Sequence, residues 1–344
     1  MQLSISPAGN PLIVAEMSGN HNQSLSRALA IVEAAAAAGA DAIKLQTYTA
    51  DTITLNSQAD NFKIKDPDSL WTGSNLYDLY QKAYTPWEWH EPIMQKARQL
   101  GLICFSSPFD ETAVDFLESL NTPAYKIASF ENNHLPLIAK AASTGKPLII
   151  STGMASIGEL ERAVLTARSS GCKKLILLKC TSTYPASPEN TNILTIPHLR
   201  ELFGCEVGLS DHTHGIGVAV ASVALGATLI EKHFTLDRND GGVDSAFSLE
   251  PSELKMLVDE TKRAWQSLGK ISYGPTKSEA KSLMFRRSIY VAKDIQVGEL
   301  FTSDNLRIVR PGDGAPPYLF QEIIGHVARK NFAAGTPLSL DQLL

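Results

Sequence analysis

Eight short apolar runs, each followed by a stretch with helical spacing, constrain this chain more than any other feature. They are Ile13–Met17, Ala42–Gln46, Ile103–Ser107, Tyr125–Ser129, Leu148–Thr152, Leu175–Cys180, Glu206–Ser210 and Leu229–Phe234. Their weak alternation fits parallel strands covered on both faces. Between them Leu25, Ala28, Leu29 and Val32 keep helical spacing, with Gly39 placed to end that helix. Ser156 and Glu159 form a capping box, and Leu254, Leu257, Val258, Thr261, Trp265 and Leu268 mark a last helix. Eight strand–helix units in roughly 250 residues are the count of a (β/α)8 TIM barrel. An open doubly wound sheet would carry a glycine-rich turn after its first strand, and none is present.

From Thr49 to Thr85 the pattern lapses into a polar and aromatic stretch, read as a functional loop. The texture changes again after Lys270. The expected organisation is a barrel over 1–270, a linker over 271–285 and a small β-rich domain over 286–344. Within the last, the turn-and-helix segment Gly298–Leu306 is echoed by Gly335–Leu343. The formal net charge of −5 argues against non-specific nucleic-acid binding. No run approaches a membrane span, no signal peptide is visible, and four scattered cysteines read as reduced thiols. A soluble cytoplasmic protein is expected.

Catalytic groups of such a barrel gather where the strands end. The ends read here are Glu16, Lys44 with Gln46, Ser107, Lys126 with Ser129, Ser151, Ser182 with Tyr184, Ser210 with His212, and Glu231 with His233. Lys44 and Lys126 sit inside apolar strands, where an unpaired ammonium is costly. They form either internal salt bridges or a phosphate and carboxylate clamp completed by Ser107, Ser151 and Ser210. The clamp is the preferred reading, because acidic partners look scarce. His212 and His233 would share one metal ion across adjacent strand ends, with His214 as a competing partner. Glu16 and Glu131 are acid–base candidates, although Glu131 also suits the start of a helix. Tyr184 and the loop aromatics Trp71, Tyr77, Tyr80 and Trp87 would stack on a sugar.

The ordered motifs AEMSGNHN, ADAIKLQT, SSPFD, YKIASFE, IISTGM, KCTSTYP, GLSDHT and IEKHFTLD resemble the sialic-acid synthase family. The tail from Arg287 through RPGDG resembles its antifreeze-like (SAF, β-clip) domain. The resemblance implies condensation of phosphoenolpyruvate with an acetamido sugar, a domain-swapped homodimer and a divalent ion, Mn2+ first, with Mg2+ or Co2+ as options. It implies Lys44, Ser107, Lys126, Ser129, Ser151, Ser182 and Ser210 for phosphoenolpyruvate, and His212 and His233 for the metal. Glu16, Gln46, Tyr184, Asp244 and Arg310 would face the sugar, with Arg310 reaching in from the partner subunit. Glu131, Glu16 and Lys126 would be the catalytic groups. The segment WTGSNLYDLYQKAYTPWEWHEP looks like the pseudaminic acid branch, whose sugar is 2,4-diacetamido-2,4,6-trideoxy-L-altrose. Ser182 departs from the Asn common in sialic-acid synthases, and NHNQ from the usual NHNG. Sialic or legionaminic acid synthesis, a heptulosonate-type aldolase and a non-catalytic carbohydrate-binding protein are the alternatives.

Overall fold

A computed structural model describes residues 9–339 and 341. The first eight residues, on which the reading of the chain start rests, lie outside it, as do Leu340, Gln342 and Leu343 of the second echo copy. The chain divides into two compact units, 1–269 and 270–344.

Among the described residues of the first unit, eight parallel strands close into a barrel in chain order. They are β1 (Leu12–Glu16), β2 (Ala42–Thr47), β3 (Ile103–Pro108), β4 (Tyr125–Ile127), β5 (Leu148–Ser151), β6 (Leu175–Cys180), β7 (Glu206–Ser210) and β8 (Leu229–His233). The expected helices are present. Leu25–Ala38 starts at Ser24 and is closed by Gly39, the Ser156–Glu159 capping box is formed, and the last helix is Pro251–Leu268. Ala28, Ile31, Val32 and Ala35 bury the inner face of the first helix against the sheet.

Alternation is hidden by burial on both faces. Side chains of one parity, such as Ile13, Leu177 and Ile230, pack under the helices. Those of the other parity, such as Leu12, Val14, Phe105, Ile149, Ile176 and Leu229, form a separate cluster that fills the barrel. One step up each strand, the same inward parity delivers Glu16, Lys44, Ser107, Lys126, Ser151, Ser210 and Glu231. Register sets neighbours among these side by side: Glu16 pairs with Lys44 and with His233, and Ser210 with Glu231.

Two expectations change. The strand read as Tyr125–Ser129 stops at Ile127, and Ser129–Glu131 turn in a short 3-10 segment. The Asn132 side chain fixes that turn by donating to Ser151 O (3.3 Å) and Gly153 O (2.9 Å). The long loop also contains a helix, Leu76–Ala83, capped by Asn75, whose side chain accepts from Tyr77 N–H (2.9 Å). Leu76, Leu79, Tyr80 and Ala83 lie on one face of it, a helical period that polar neighbours disguise.

In the second unit, β9 (Ser288–Val291) and β10 (Leu306–Val309) pair antiparallel, and isolated bridges such as Ile295–Phe332 complete a small core. The echo is structural in its glycine turns, whereas the short helix expected in the first copy is only a turn, Ser303–Asn305, that runs into β10. Gly298 and Gly335 both adopt left-handed φ (93° and 88°), and three residues on, Phe301 and Leu338 both enter the core.

At Gly208 on β7 there is no room for a side chain: a Cβ would stand 2.2 Å from Leu229 O and 2.8 Å from Leu178 Cδ2. Gly208→Ala should destabilise the barrel by about 1–3 kcal/mol, as overpacking does. A thermal midpoint equal to that of the unmodified chain would refute this packing argument.

Candidate active site

The polar level inside the barrel is built on two buried ion pairs. Lys44 Nζ lies 2.6 Å from Glu16 Oε2, and Lys126 Nζ lies 3.0 Å from Glu231 Oε1. Lys44 also reaches Glu231 at 3.9 Å and donates to Ser107 Oγ (3.3 Å), while Ser210 Oγ donates to Glu231 (3.1 Å). All four charged residues are buried. This corrects the sequence argument that the lysines lack acidic partners. The internal salt bridges and the candidate clamp are one object, and Glu231, read at its strand end without a role, is the group that joins them. Its signal was parity: it shares the inward face of β8 with His233.

Burial pushes Glu16 up, with the Lys44 ammonium opposing. Burial acts the same way on Glu231, but Lys126 and Lys44 override it and hold that carboxyl well below the ordinary range. One carboxylate is therefore firmly ionised, and the other is the easier of the two to protonate.

Above this level lies a cavity of about 500 Å³. Its polar end holds Ser18, Gln46, Glu131, Ser182, His233 and Asp244. Gln46 donates to Glu16 (3.0 Å), and Ser18, held in a left-handed conformation (φ 46°), donates through a short bond to Asp244. Its other wall is apolar, formed by Ile53, Ile64, Leu76, Leu79, Tyr80 and Phe109. Of the four loop aromatics, Trp71 and Tyr80 line the cavity. Tyr77 instead donates to Asp51, and Trp87 stacks on Phe116 at 4.5 Å. Hence a tally of loop aromatics overstated the stacking surface.

Tyr184 packs against His212 (4.5 Å between ring centroids) and Trp71 (5.8 Å). The His212 and His233 rings lie 5.3 Å apart, whereas His214 is exposed. His212 Nδ1–H donates to Thr181 O (2.9 Å), which leaves Nε2 as the ligand nitrogen. His233 Nδ1 is buried without a hydrogen-bond partner, and Asp244 stands 3.6 Å from it. Burial and the neighbouring cations push His233 well down, keeping it neutral. A neutral imidazole whose buried Nδ1 has no hydrogen bond, beside a tautomer-fixed one, fits a divalent ion. Among the described residues no third His, Cys, Asp or Glu joins them, so oxygen donors would have to complete the shell. Sequence reasoning also missed Cys180, whose Sγ is 3.9 Å from His212 Nδ1; burial would raise that thiol, but His212 draws it down.

The predicted serines divide. Ser129 Oγ accepts from Gly153 N–H (3.2 Å), and a Cβ on Gly153 would stand 2.1 Å from Ser182 Oγ, so these three meet closely. Ser151 Oγ is buried without a partner. Arg310 belongs to the second unit, beyond β10. A larger cavity, about 670 Å³, lies at the opposite mouth, lined by residues preceding β3 to β6 such as Leu102, Thr122, Pro147 and Lys174. That end of a barrel serves stability.

Sequence patterns and relatives agree with this geometry. The pattern of the NeuB family matches residues 31–273, and that of the SAF domain residues 286–344. The chain belongs to the NeuB family. This NeuB-family chain is 46% identical over 335 residues to the pseudaminic acid synthase of Helicobacter pylori, covering 97% of this chain and 98% of that one. It is 45% identical over 326 residues to the pseudaminic acid synthase of Campylobacter jejuni serotype O:2, covering 95% and 94%. The crystal structure of the N-acetylneuraminic acid synthetase of Leptospira borgpetersenii matches with a TM-score of 0.71 and 31% identity, over 81% of this chain and 92% of that one. Among the described residues no helix is long and apolar enough to cross a membrane.

Burial pushes the Glu131 carboxyl up to about 7, against the pull of Lys126, and one of its oxygens has no partner. Folding therefore favours the protonated form. Below about pH 4.5 both states are protonated and the effect vanishes; above pH 7 the folded protein carries the whole cost of a buried carboxylate. Glu131→Gln should thus stabilise the protein by about 2–3 kcal/mol at pH 8 and by almost nothing near pH 4.5. Denaturant unfolding at both pH values checks this, and a pH-independent difference would remove the assignment.

Proposed function

We propose that this chain is a pseudaminic acid synthase, condensing phosphoenolpyruvate with 2,4-diacetamido-2,4,6-trideoxy-L-altrose and water to give pseudaminic acid and phosphate. The observation that carries the reading is the cavity: paired lysines below it, the Glu131 carboxyl pushed up to about 7 beside it, and one largely apolar wall. Sialic or legionaminic acid synthesis would use the same chemistry and differ in the sugar pocket. The similarity to pseudaminic acid synthases supports the first choice.

In this reading the phosphate and carboxylate of phosphoenolpyruvate take Lys44 and Lys126 from their glutamates. Ser107, Ser129, Ser151, Ser182 and Ser210 supply hydroxyls around them. Two lysines and two glutamates are electrically balanced, so the incoming anion brings uncompensated charge. Glu16, already raised by burial, is the group that takes up a proton. Fixing both substrates turns C–C bond formation into a step between neighbours. C3 of phosphoenolpyruvate attacks the open-chain aldehyde, whose oxygen takes the proton held on Glu16 and becomes a hydroxyl, and positive charge develops at C2. Glu131 accepts a proton from the water that adds there, a task suited to a carboxyl near pH 7. Phosphate then leaves, returning C2 to a ketone. Gln46, Tyr184 and Asp244 position the sugar. A divalent ion held by His212 and His233, Mn2+ first, with Mg2+ or Co2+ as options, would polarise the aldehyde as a Lewis acid. Arg310 reaches the sugar from the partner in a domain-swapped homodimer, with the barrel over 1–270, a linker over 271–285 and the SAF domain over 286–344. Four free cysteines, three of them buried, support a reducing cytoplasmic setting.

Phosphate release with a panel of acetamido sugars tests the assignment. The 6-deoxy sugar should be preferred to N-acetylmannosamine by roughly 10–200-fold in kcat/KM, the range a methyl or hydroxyl commands in an apolar pocket. Leu76→Ala with Leu79→Ala should erode that preference while leaving the KM for phosphoenolpyruvate nearly unchanged. A better kcat/KM with N-acetylmannosamine would overturn the sugar assignment.

For the metal, chelator should abolish turnover, and Mn2+, Co2+ or Mg2+ should restore it. His233→Ala should bind Mn2+ at least about 10-fold more weakly, as loss of a metal-site group does. Full activity in chelator-treated His233→Ala protein would end that part of the proposal.

A further inference from the structure

Two charged residues that the reaction does not use are among the most deeply buried in the barrel. The side chains of Lys232 and Asp211 are each 1% exposed, with Nζ and Oδ2 2.8 Å apart. They lie on the outward parity of β8 and just past β7, opposite to Ser210, Glu231 and His233. Lys232 stands between Ile230 and Phe234 in a face that otherwise packs apolar groups under the helices. Desolvating both ions there costs several kcal/mol apiece, and apolar side chains of similar volume would do as well for stability.

What apolar groups would not do is hold a turn. The Lys232 ammonium also donates to Thr213 O (2.7 Å), while Asp211 Oδ1 accepts from Thr213 N–H (2.9 Å) and Thr213 Oγ1 (2.8 Å). Asp211 N–H donates to Glu231 O (2.9 Å). Both residues that flank His212 are thus fastened to β8, to Lys232 and to the residue before it. His233 is the next residue along that strand. The Thr181 carbonyl sets the rotation of the His212 ring and Ala186 N–H donates to His212 O (3.0 Å), while the clamp fixes the residues on either side of it.

We infer that Lys232 and Asp211 are positioning residues for His212, fixing the spacing of the His212 and His233 imidazoles from behind the barrel wall. The inference rests on the metal-binding reading given above. It extends the site one layer outward, to groups that touch neither substrate nor ion, and such supporting groups typically govern metal affinity by 10–100-fold.

The test uses chelator-stripped full-length protein. Mn2+ affinity is measured by calorimetry, Co2+ binding by visible absorption, and the thermal midpoint in parallel, for Lys232→Met, Asp211→Asn and the double variant. Each single change should weaken Mn2+ binding roughly 10–100-fold and lower the midpoint, because it leaves a buried charge or polar group poorly paired. The double variant leaves no buried charge unpaired, so it should recover most of the midpoint and keep the loss of Mn2+ affinity. At saturating Mn2+ its kcat should return toward the unmodified value. A double variant that recovers its midpoint and binds Mn2+ like the unmodified protein makes the pair purely structural and overturns the clamp alone. If the double variant does not fold, Asp211→Asn decides the matter below its own midpoint, and unchanged Mn2+ affinity there is equally fatal. Unmodified protein that takes up neither ion overturns the metal reading, and this inference with it.

Discussion

The Lys44–Glu16 and Lys126–Glu231 pairs govern what the rest of this barrel has to be. Four ions in the middle of a protein are tolerable only if each has a partner at contact distance, and removing one partner of such a pair typically costs 3–5 kcal/mol. The barrel supplies the rigidity this needs. Register places Glu16 beside Lys44 and Ser210 beside Glu231, and the apolar cluster from Leu12 to Leu229 closes the bore beneath them. Water is kept to one side, so the charges can be reached only from the mouth, where the cavity lies. An anionic ligand entering there would meet cations whose desolvation has already been met during folding, which is the usual meaning of preorganisation.

The same economy explains the neighbourhood. Burial separates the carboxyls by environment: Glu231 is held ionised by two lysines, Glu16 sits higher, and Glu131, furthest from a full partner, stands at about 7. Similar side chains acquire different proton affinities from position alone. On the outer face of β8 the Lys232–Asp211 pair repeats the device one layer out, fastening the turn that carries His212. Strand β8 thereby links the ionic floor, the imidazole pair and the clamp, through Glu231, Lys232 and His233 in succession.

Much of this was legible in the residues. The strand–helix rhythm gave the barrel, and strand ends gave the imidazole pair and the lysines, because buried polar residues in apolar strands stand out against their surroundings. Glu231 was present in the same text but went without a role, since a glutamate in a strand end has no spacing that reveals its partner. The helix Leu76–Ala83 was hidden for a different reason: four apolar positions among polar neighbours look irregular until one face is seen to be covered.

What the sequence determined by itself was the architecture and the inventory of chemical groups, because parity along a strand and spacing along a helix are local properties written into the order of residues. Which lysine meets which glutamate, which aromatics line the cavity, and which imidazole nitrogen is free were decided by closure of the barrel. Lys126 and Glu231 are 105 residues apart in the chain yet lie 3.0 Å apart in space. Trp71 and Tyr80 face the cavity while Tyr77 and Trp87 do not, a distinction that depends on how one loop folds back over the strand ends. Contacts of that range arise from register and curvature summed over eight strands, and no local pattern of residues encodes them.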